Sequence, residues 1–589
     1  LADVLDGLDE LLDAALVRES IGERDVFAFS HHLVHQAAYR SIAVSTRRRL
    51  HRRAGHALAS FLGERATERA AVIARHFDEA GATDAVLWYE TAAQRALSVF
   101  ANDDAITLAS RGLELAISAS ARFALLALRE TGLSRSARHD EQQADCDALL
   151  ALAREQSNLD WEWVAVRRAV DLAAQRGESK RESALARRLQ KLARATGDSR
   201  RIVEGATLFA RWLVNSGRTA ESLQCLSDIE SLITSLNDPS TEIEYWWGRV
   251  FAESTLRAMA AAQTSLARMA SAAAAGGRRA DPRTLRAAAI VAMQNFDADA
   301  LTRSARDALE LYTEAGDIEG IAFAHQHLAI AAWERFDIEA QRRHLALATD
   351  MYQRIGKPSG IYTIVTNRGV VATQLGLFSE AESAFRTALE LAIALQRPHW
   401  IVLSNLNLAC VAHARGGFAR AQGIALDILS SAQTDVHRAL ALEALGTAER
   451  GLGDFEGALA HLEAAAAAHR EMRSDLIVGP LSELIPAYIE VRRATDAMKA
   501  ADELAPLLLA KPSTLTFPIV GFARLAQAYR TGGRRKAARA HFERALTLLR
   551  ERVARIPDEA TRRAYLAVSG HEEFTKHLAG VDAPGTLLG

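Results

Sequence analysis

Proline is scarce in this chain of 589 residues. There are 11, where average usage would give roughly 30. Each proline in a helix interior removes a backbone donor and clashes with the preceding turn, so the scarcity leaves long helices uninterrupted. Aromatic residues make up only 6%, which suits a core built from Ala and Leu. The three cysteines, Cys146, Cys225 and Cys410, are odd in number and far apart. No disulfide framework or thiolate metal motif follows, and a reducing, cytoplasmic setting is expected. No run reaches 18 consecutive apolar residues, so no transmembrane helix or membrane partner is expected. A charged-then-apolar leader is also missing. Neither sign of charge dominates: 71 basic and 73 acidic residues leave a net charge of -2. A general electrostatic grip on nucleic acid needs a clustered basic face, so nucleic-acid contact within this stretch is not expected. Catalytic signatures are missing as well. No GxxxxGK[ST], HExxH, paired CxxC, GxSxG or EF-hand pattern occurs, and Gly356-Lys357 runs into Pro358. The chain is therefore expected to hold no active site, metal or cofactor.

What is present is a repeat. Gly369, Gly376, Phe378, Ala381, Phe385 and Ala388 alternate small and aromatic residues. Ala409, Gly416, Phe418 and Ala421 repeat the order, as do Gly446, Gly453, Phe455, Ala458 and Ala465, and then Ala526, Gly533, Ala538, Phe542 and Ala545. The glycines Gly376, Gly416, Gly453 and Gly533 are spaced by 40, 37 and 80, so a degenerate copy is expected at about 480–511. The pattern resembles the tetratricopeptide repeat, a two-helix hairpin of about 34 residues that must stack on copies of itself to bury its apolar face. The longer period here implies longer helices or loops. The expected fold class is all-α: a tetratricopeptide-like α-α superhelix, preceded by the C-terminal part of a winged-helix domain. A solenoid also resolves the length, which is too great for one compact core.

The expectation of a winged-helix end comes from residues 1–64. Leu5, Leu8, Leu11, Leu12 and Leu16 have helical spacing; Val26 to Phe29 read as a strand after the turn-like Gly22-Glu23-Arg24-Asp25; a second helix follows with Ser30 as N-cap and runs through Ile42. The runs LDELLDAALVRES, VFAFSHHLVHQAAYRSI, RRRLHRRAGHAL, IARHFDEAG and WYETAAQRAL resemble the winged-helix-to-repeat junction of bacterial signal-transducing ATPases of the STAND class, which includes LuxR-type, maltose-activator-like regulators and ATPase-linked nucleotide cyclases. The likeness covers residues 1–115. It implies a phosphate-loop ATPase module, with ATP or ADP, ahead of this sequence. The opening at Leu1, inside a helical pattern, is likewise expected to mark a part of a longer protein. The expected organisation is a winged-helix remnant and junction helix at 1–64, degenerate hairpins at 65–320, clearer repeats at 321–580 and a flexible tail at 581–589. Gly197, Gly217 and Gly316 mark turns, and 271–282 (SAAAAGGRRADP) reads as a loop or hinge.

Candidate functional residues are few. His31 matches the histidine of the STAND-class FxFSHxLVREAxY run, which implies a nucleotide-state sensor; here the run departs at His35 and Gln36, where Arg and Glu are usual. Capping or packing is the plain alternative, and His31 with His35 lacks a third metal ligand. Arg47, Arg48, Arg49, Arg52 and Arg53 form the one basic cluster, with Arg48 and Arg52 as junction contacts to phosphate, or as stems covering apolar surface. His327, Asn367 and Asn407 are 40 apart, each two positions before a small helix residue. They are expected to form a ladder facing the concave groove and to bind a peptide, a protein partner or a small effector. Trp333, Tyr362 and Trp400 lie near that ladder in sequence, with a core role as the alternative. The resulting reading is a ligand- or partner-sensing regulatory region of an ATP-dependent signalling or transcriptional regulator. It would contact its own ATPase module and work by binding-induced release or homo-oligomerisation. The alternatives are an interaction scaffold without nucleotide, or the regulatory arm of a nucleotide cyclase.

Overall fold

The computed structural model describes residues 2–19, 27–136, 138–277, 281–432, 434–571 and 574. Its contacts group the chain into two units, Leu1–Gln156 and Ser157–Gly589, so the division falls inside the stretch expected to hold degenerate repeats. The expected tail at 581–589 and the turn at 22–25 lie outside the described residues.

In the first unit, helix α1 (Ala2–Asp13) is followed by strand β1 (Val17–Glu19), which pairs antiparallel with β2 (Phe27–Phe29), Val17 opposite Phe29. Helix α2 (His32–Ser41) then leads to α3 (Val44–Leu62). The N-cap of α2 is His31, in extended conformation and without a side-chain cap, rather than Ser30. The reason lies in the ladder: the Ser30 N–H donates to the Leu16 carbonyl at 2.9 Å, which holds Ser30 in line with β2. Gly55 on α3 lets the Phe77 ring approach to 3.0 Å of where a Cβ would stand. Phe77, Ile73, Ala74, Ala85 and Tyr89 form the core there. The expected hairpin at 83–117 is present as helices Asp84–Ser98 and Asn102–Leu115.

The second unit is a run of helical pairs, from Leu159–Arg176 with Ser179–Thr196 to Pro518–Thr531 with Arg535–Arg555. The turn inside each pair contains one residue with left-handed backbone: Gly177, Gly217, Arg257, Phe296, Phe336, Gly376, Gly416, Gly453, Arg492 and Gly533. The series advances by about 40 residues at each step. The degenerate copy expected at 480–511 is the pair Val478–Glu490 and Ala494–Ala510. Of the stretch 271–282 read as a loop or hinge, 271–275 end the helix Met259–Ala275, Gly276 and Gly277 form a turn, 278–280 lie outside the described residues, and Asp281 caps Pro282–Gln294.

The small residues act as expected. A Cβ at Gly369 would lie 2.6 Å from the Phe385 ring, and Phe385 is buried between the two helices of its pair. Within this unit the chain also returns onto itself. Arg555 Nη1 donates to the Arg335 carbonyl at 2.6 Å, 220 residues away in sequence. Arg342 lies 3.8 Å from Asp558, and the Phe336 and Tyr565 rings are 5.8 Å apart. Trp333, Phe336, Ile338 and Leu375 thereby share one core with Ile556, Tyr565 and Phe574. One superhelical turn thus takes about 220 residues, and the end of the unit packs back on the hairpins that begin that turn.

Candidate binding cavity

The returning turn surrounds a cavity of about 1600 Å³. Its wall comes from the first helix of four successive pairs: Pro398–Ala414, Asp435–Leu452, Val478–Glu490 and Pro518–Thr531. Residues three, four or seven apart share one helix face, so each of these helices sends a short row inward. Asn407, Cys410 and His413 form one row; Glu443, Thr447 and Arg450 the next; then Ser482 and Glu483; then Arg524 and Gln527. Helix Arg535–Arg555 and residues 568–570 and 574 complete the lining.

The floor is charged. Glu483 Oε2 accepts from Arg450 Nη2 at 2.8 Å and Nε at 3.1 Å, while its Oε1 accepts from Arg524 Nη1 at 2.7 Å. Arg524 also donates to Ser482 Oγ at 2.9 Å. Burial opposes the Glu483 charge, but Arg524 and Arg450 outweigh it and hold the carboxyl down to about 2. Glu443 behaves in the opposite sense. Burial, and then the charge on Glu483, push it up to about 8. It borders the cavity and so keeps partial exposure, yet protein surrounds it on the other sides. Its carboxyl occupies space that any side chain at Gly479 would need. Burial, with Glu443 and Glu483 nearby, pushes the Cys410 thiol up to about 12. The thiolate of Cys410 is therefore disfavoured, and the residue contributes a polar thiol to the wall. His413 is lowered by burial, and its Nδ1 has no hydrogen-bond partner among the described residues.

Of the expected ladder, only Asn407 lies on this cavity. Asn367 is half-buried, and its Nδ2 has no hydrogen-bond partner among the described residues. His327 departs from expectation. It is 2% exposed, its Nδ1 donates to the Phe323 carbonyl at 2.9 Å, and its ring lies 3.9 Å from Phe323. Burial pushes it down to about 4, so it is a neutral core residue. The spacing of 40 places all three at one position of the repeat. How far each is covered depends on neighbouring side chains, which the spacing does not encode. Tyr362 and Trp400 stack at 4.2 Å, and the Trp333 indole donates to Gln374 Oε1 at 2.9 Å. With Tyr362 and Trp333 both buried, these act as packing aromatics.

In the first unit His31 is exposed, as are Arg48 and Arg52. Arg47 instead lies over the Tyr39 ring at 4.8 Å. No group of three metal-ligating side chains occurs among the described residues. None of the described helices is long and apolar enough to cross a membrane. Sequence reasoning missed Glu443, Glu483, Arg450 and Arg524. A signal was available: Glu443 and Glu483 are themselves 40 apart, so a search for charged as well as amide ladders would have found them.

Residues 521–549 match the tetratricopeptide repeat family. Among curated proteins none matches the chain. The crystal structure of the APC/C hetero-tetramer Cut9-Hcn1 is similar at a TM-score of 0.50 and 14% identity, covering 87% of this chain and 95% of that one. NprR in complex with its cognate peptide NprX reaches a TM-score of 0.39 at 14% identity over 56% of this chain and 96% of that one. The STAND protein PH0952 from Pyrococcus horikoshii, which has a tetratricopeptide repeat sensor, reaches 0.37 at 14% identity over 60% and 55%. At such identities Cut9-Hcn1 speaks to fold alone. The chain is a nearly all-α, tetratricopeptide-type helical-repeat protein.

Proposed function

We propose that this chain is the sensing region of a regulator and that its ligand is a peptide segment held in the cavity of the second unit. The observation that carries this is the cavity itself. Small-molecule sites usually span roughly 300–1,000 Å³, and this one is about 1600 Å³ and polar at its floor. Rows of side chains from successive repeats suit an extended chain that presents successive side chains to them. A plain scaffold would suffice with an open curved face, and does not account for a turn that returns on itself through Arg555, Arg335, Phe336 and Tyr565.

The regulatory mechanism is a shift between two states of that turn. A ligand shifts them only by its difference in affinity for the two, a few kcal/mol in typical cases. The ATP-dependent part of the proposal rests on the likeness of residues 1–115 to STAND-class junctions: an ATPase module would read the ligand state, in the cytoplasm, and this chain would itself be non-enzymatic. His31, Arg48 and Arg52 are the exposed junction residues available for that contact.

The test is retention of a degenerate pool of acetylated, amidated nonapeptides by the full chain, compared with Ala444→Trp, which fills the cavity from its wall. The expected result is a loss of at least about tenfold in retention with an unchanged melting temperature. Equal retention by both proteins would refute a cavity ligand.

A further inference from the structure

Glu443 has an unusual place among the acidic groups of the cavity. Glu483 holds two guanidiniums, Arg450 and Arg524. Glu543, on the wall contributed by helix Arg535–Arg555, accepts from Arg539 Nε at 2.8 Å. Glu443 has no cationic partner among the described residues. Its charged neighbour is another carboxylate, Glu483. The preceding inner helix presents Asn407 and Cys410 to the same cavity, and the following one has Gly479, with no side chain, beneath the Glu443 carboxyl. The region around Glu443 therefore combines two acids, an amide and a thiol, with Arg450 and Arg524 directed to Glu483. A buried carboxyl without a counter-charge is costly, and it is retained here facing open space rather than packed protein.

We propose that the cavity takes a peptide bearing a lysine or arginine side chain, whose cationic end seats between Glu443 and Glu483 with Asn407 beside it. This rests on the reading of the cavity as a peptide site. An acidic side chain at the same depth would meet Glu443 and Glu483, since Arg450 and Arg524 are turned onto Glu483. The electrostatics of Glu443 fit the same picture: burial and the Glu483 charge oppose its ionisation, and an arriving ammonium or guanidinium favours loss of its proton to solvent. The lining also carries Arg530, Arg539 and Arg550 farther along the wall, with Arg539 paired to Glu543. The Cys410 thiolate is disfavoured, the Glu483 charge is favoured by Arg524 and Arg450, and His413 is lowered by burial.

The test uses the full chain and two synthetic peptide pools of the form acetyl-XXX-Z-XXX-amide, with Z either Lys or its uncharged analogue norleucine, and X an equal mixture of Ala, Ser and Leu. We expect about tenfold stronger retention of the Lys pool, the value of one charged hydrogen-bonded contact. We also expect proton release on binding near pH 7, seen as a dependence of the binding heat on buffer. Glu443→Gln should abolish both the preference and the proton release, with the melting temperature unchanged. Equal retention of the two pools by the unaltered chain overturns this inference but leaves the peptide site standing. So does a Lys preference that survives Glu443→Gln. If the unaltered chain retains neither pool, both readings fall.

Discussion

Gly369 lacks a side chain in a helix interior, where glycine costs roughly 0.5–1 kcal/mol relative to alanine. The Phe385 ring takes the space, with its edge 2.6 Å from the missing Cβ. Phe385 is fully buried and packs with Ala372, Ala381, Leu408 and Val411, so it has nowhere to retreat. Gly369→Ala should therefore destabilise the chain by about 1–3 kcal/mol, the usual cost of overpacking. Gly423 is the control. It sits in helix Phe418–Ser431, exposed, with nothing within 4 Å of a Cβ built there. Gly423→Ala should stabilise by roughly 0.5–1 kcal/mol. Urea unfolding of the two variants checks both, and equal effects of one sign would remove the packing argument. The small-and-aromatic pattern was legible at this scale because the same residue types recur at the same positions of successive hairpins. The pairing within the charged floor was not, since Arg450 to Glu483 and Arg524 to Glu483 join different hairpins. For His327 the position in the repeat was readable, and its burial, which neighbouring side chains decide, was not.

The helical pairs obey one register throughout the second unit, yet only part of it showed in the sequence. At Gly177, Gly217, Gly376, Gly416, Gly453 and Gly533 the left-handed turn residue is glycine, the residue that adopts this conformation at least cost. At Arg257, Phe296, Phe336 and Arg492 the same turn is made by side-chain-bearing residues. There the glycine signal vanishes although the backbone does not change, and at Arg257 and Phe296 this contributes to the degenerate look of 65–320. Phe336 has a second task that accounts for its presence: its ring meets Trp333 at 5.1 Å and Tyr565 at 5.8 Å, and Arg552 lies over it at 4.7 Å. The turn between two helices thus serves as the socket for the helix Glu559–Leu566, 1% exposed Tyr565 being its main anchor. Tyr565→Ala should cost about 3 kcal/mol or more. It should also speed amide exchange in Ile318–Glu334 and Ile338–Arg354, the two helices that flank the Phe336 socket. A loss confined to Glu559–Leu566, with those two helices unchanged, would show that the return contact does not hold the turn together.

At the scale of the second unit, stacking on neighbours is supplemented by contacts between residues about 220 apart. A linear solenoid transmits a local change only to the next repeat. A turn that returns on itself couples its first and last hairpins directly, so a ligand held on its inner wall can bias both together. The sequence revealed the stacking, because that is periodic. It did not reveal the return, because the pitch of a superhelix depends on small rotations at each interface that no single residue specifies. The most direct measurement is hydrogen exchange of the full chain with and without a retained peptide pool. Slowed exchange is predicted in Pro398–Ala414, Asp435–Leu452, Val478–Glu490, Pro518–Thr531 and Arg535–Arg555, helices that line the cavity. Protection confined to the outer helices Phe418–Ser431 and Phe455–Glu471, or none at all despite retained peptide, would contradict the account.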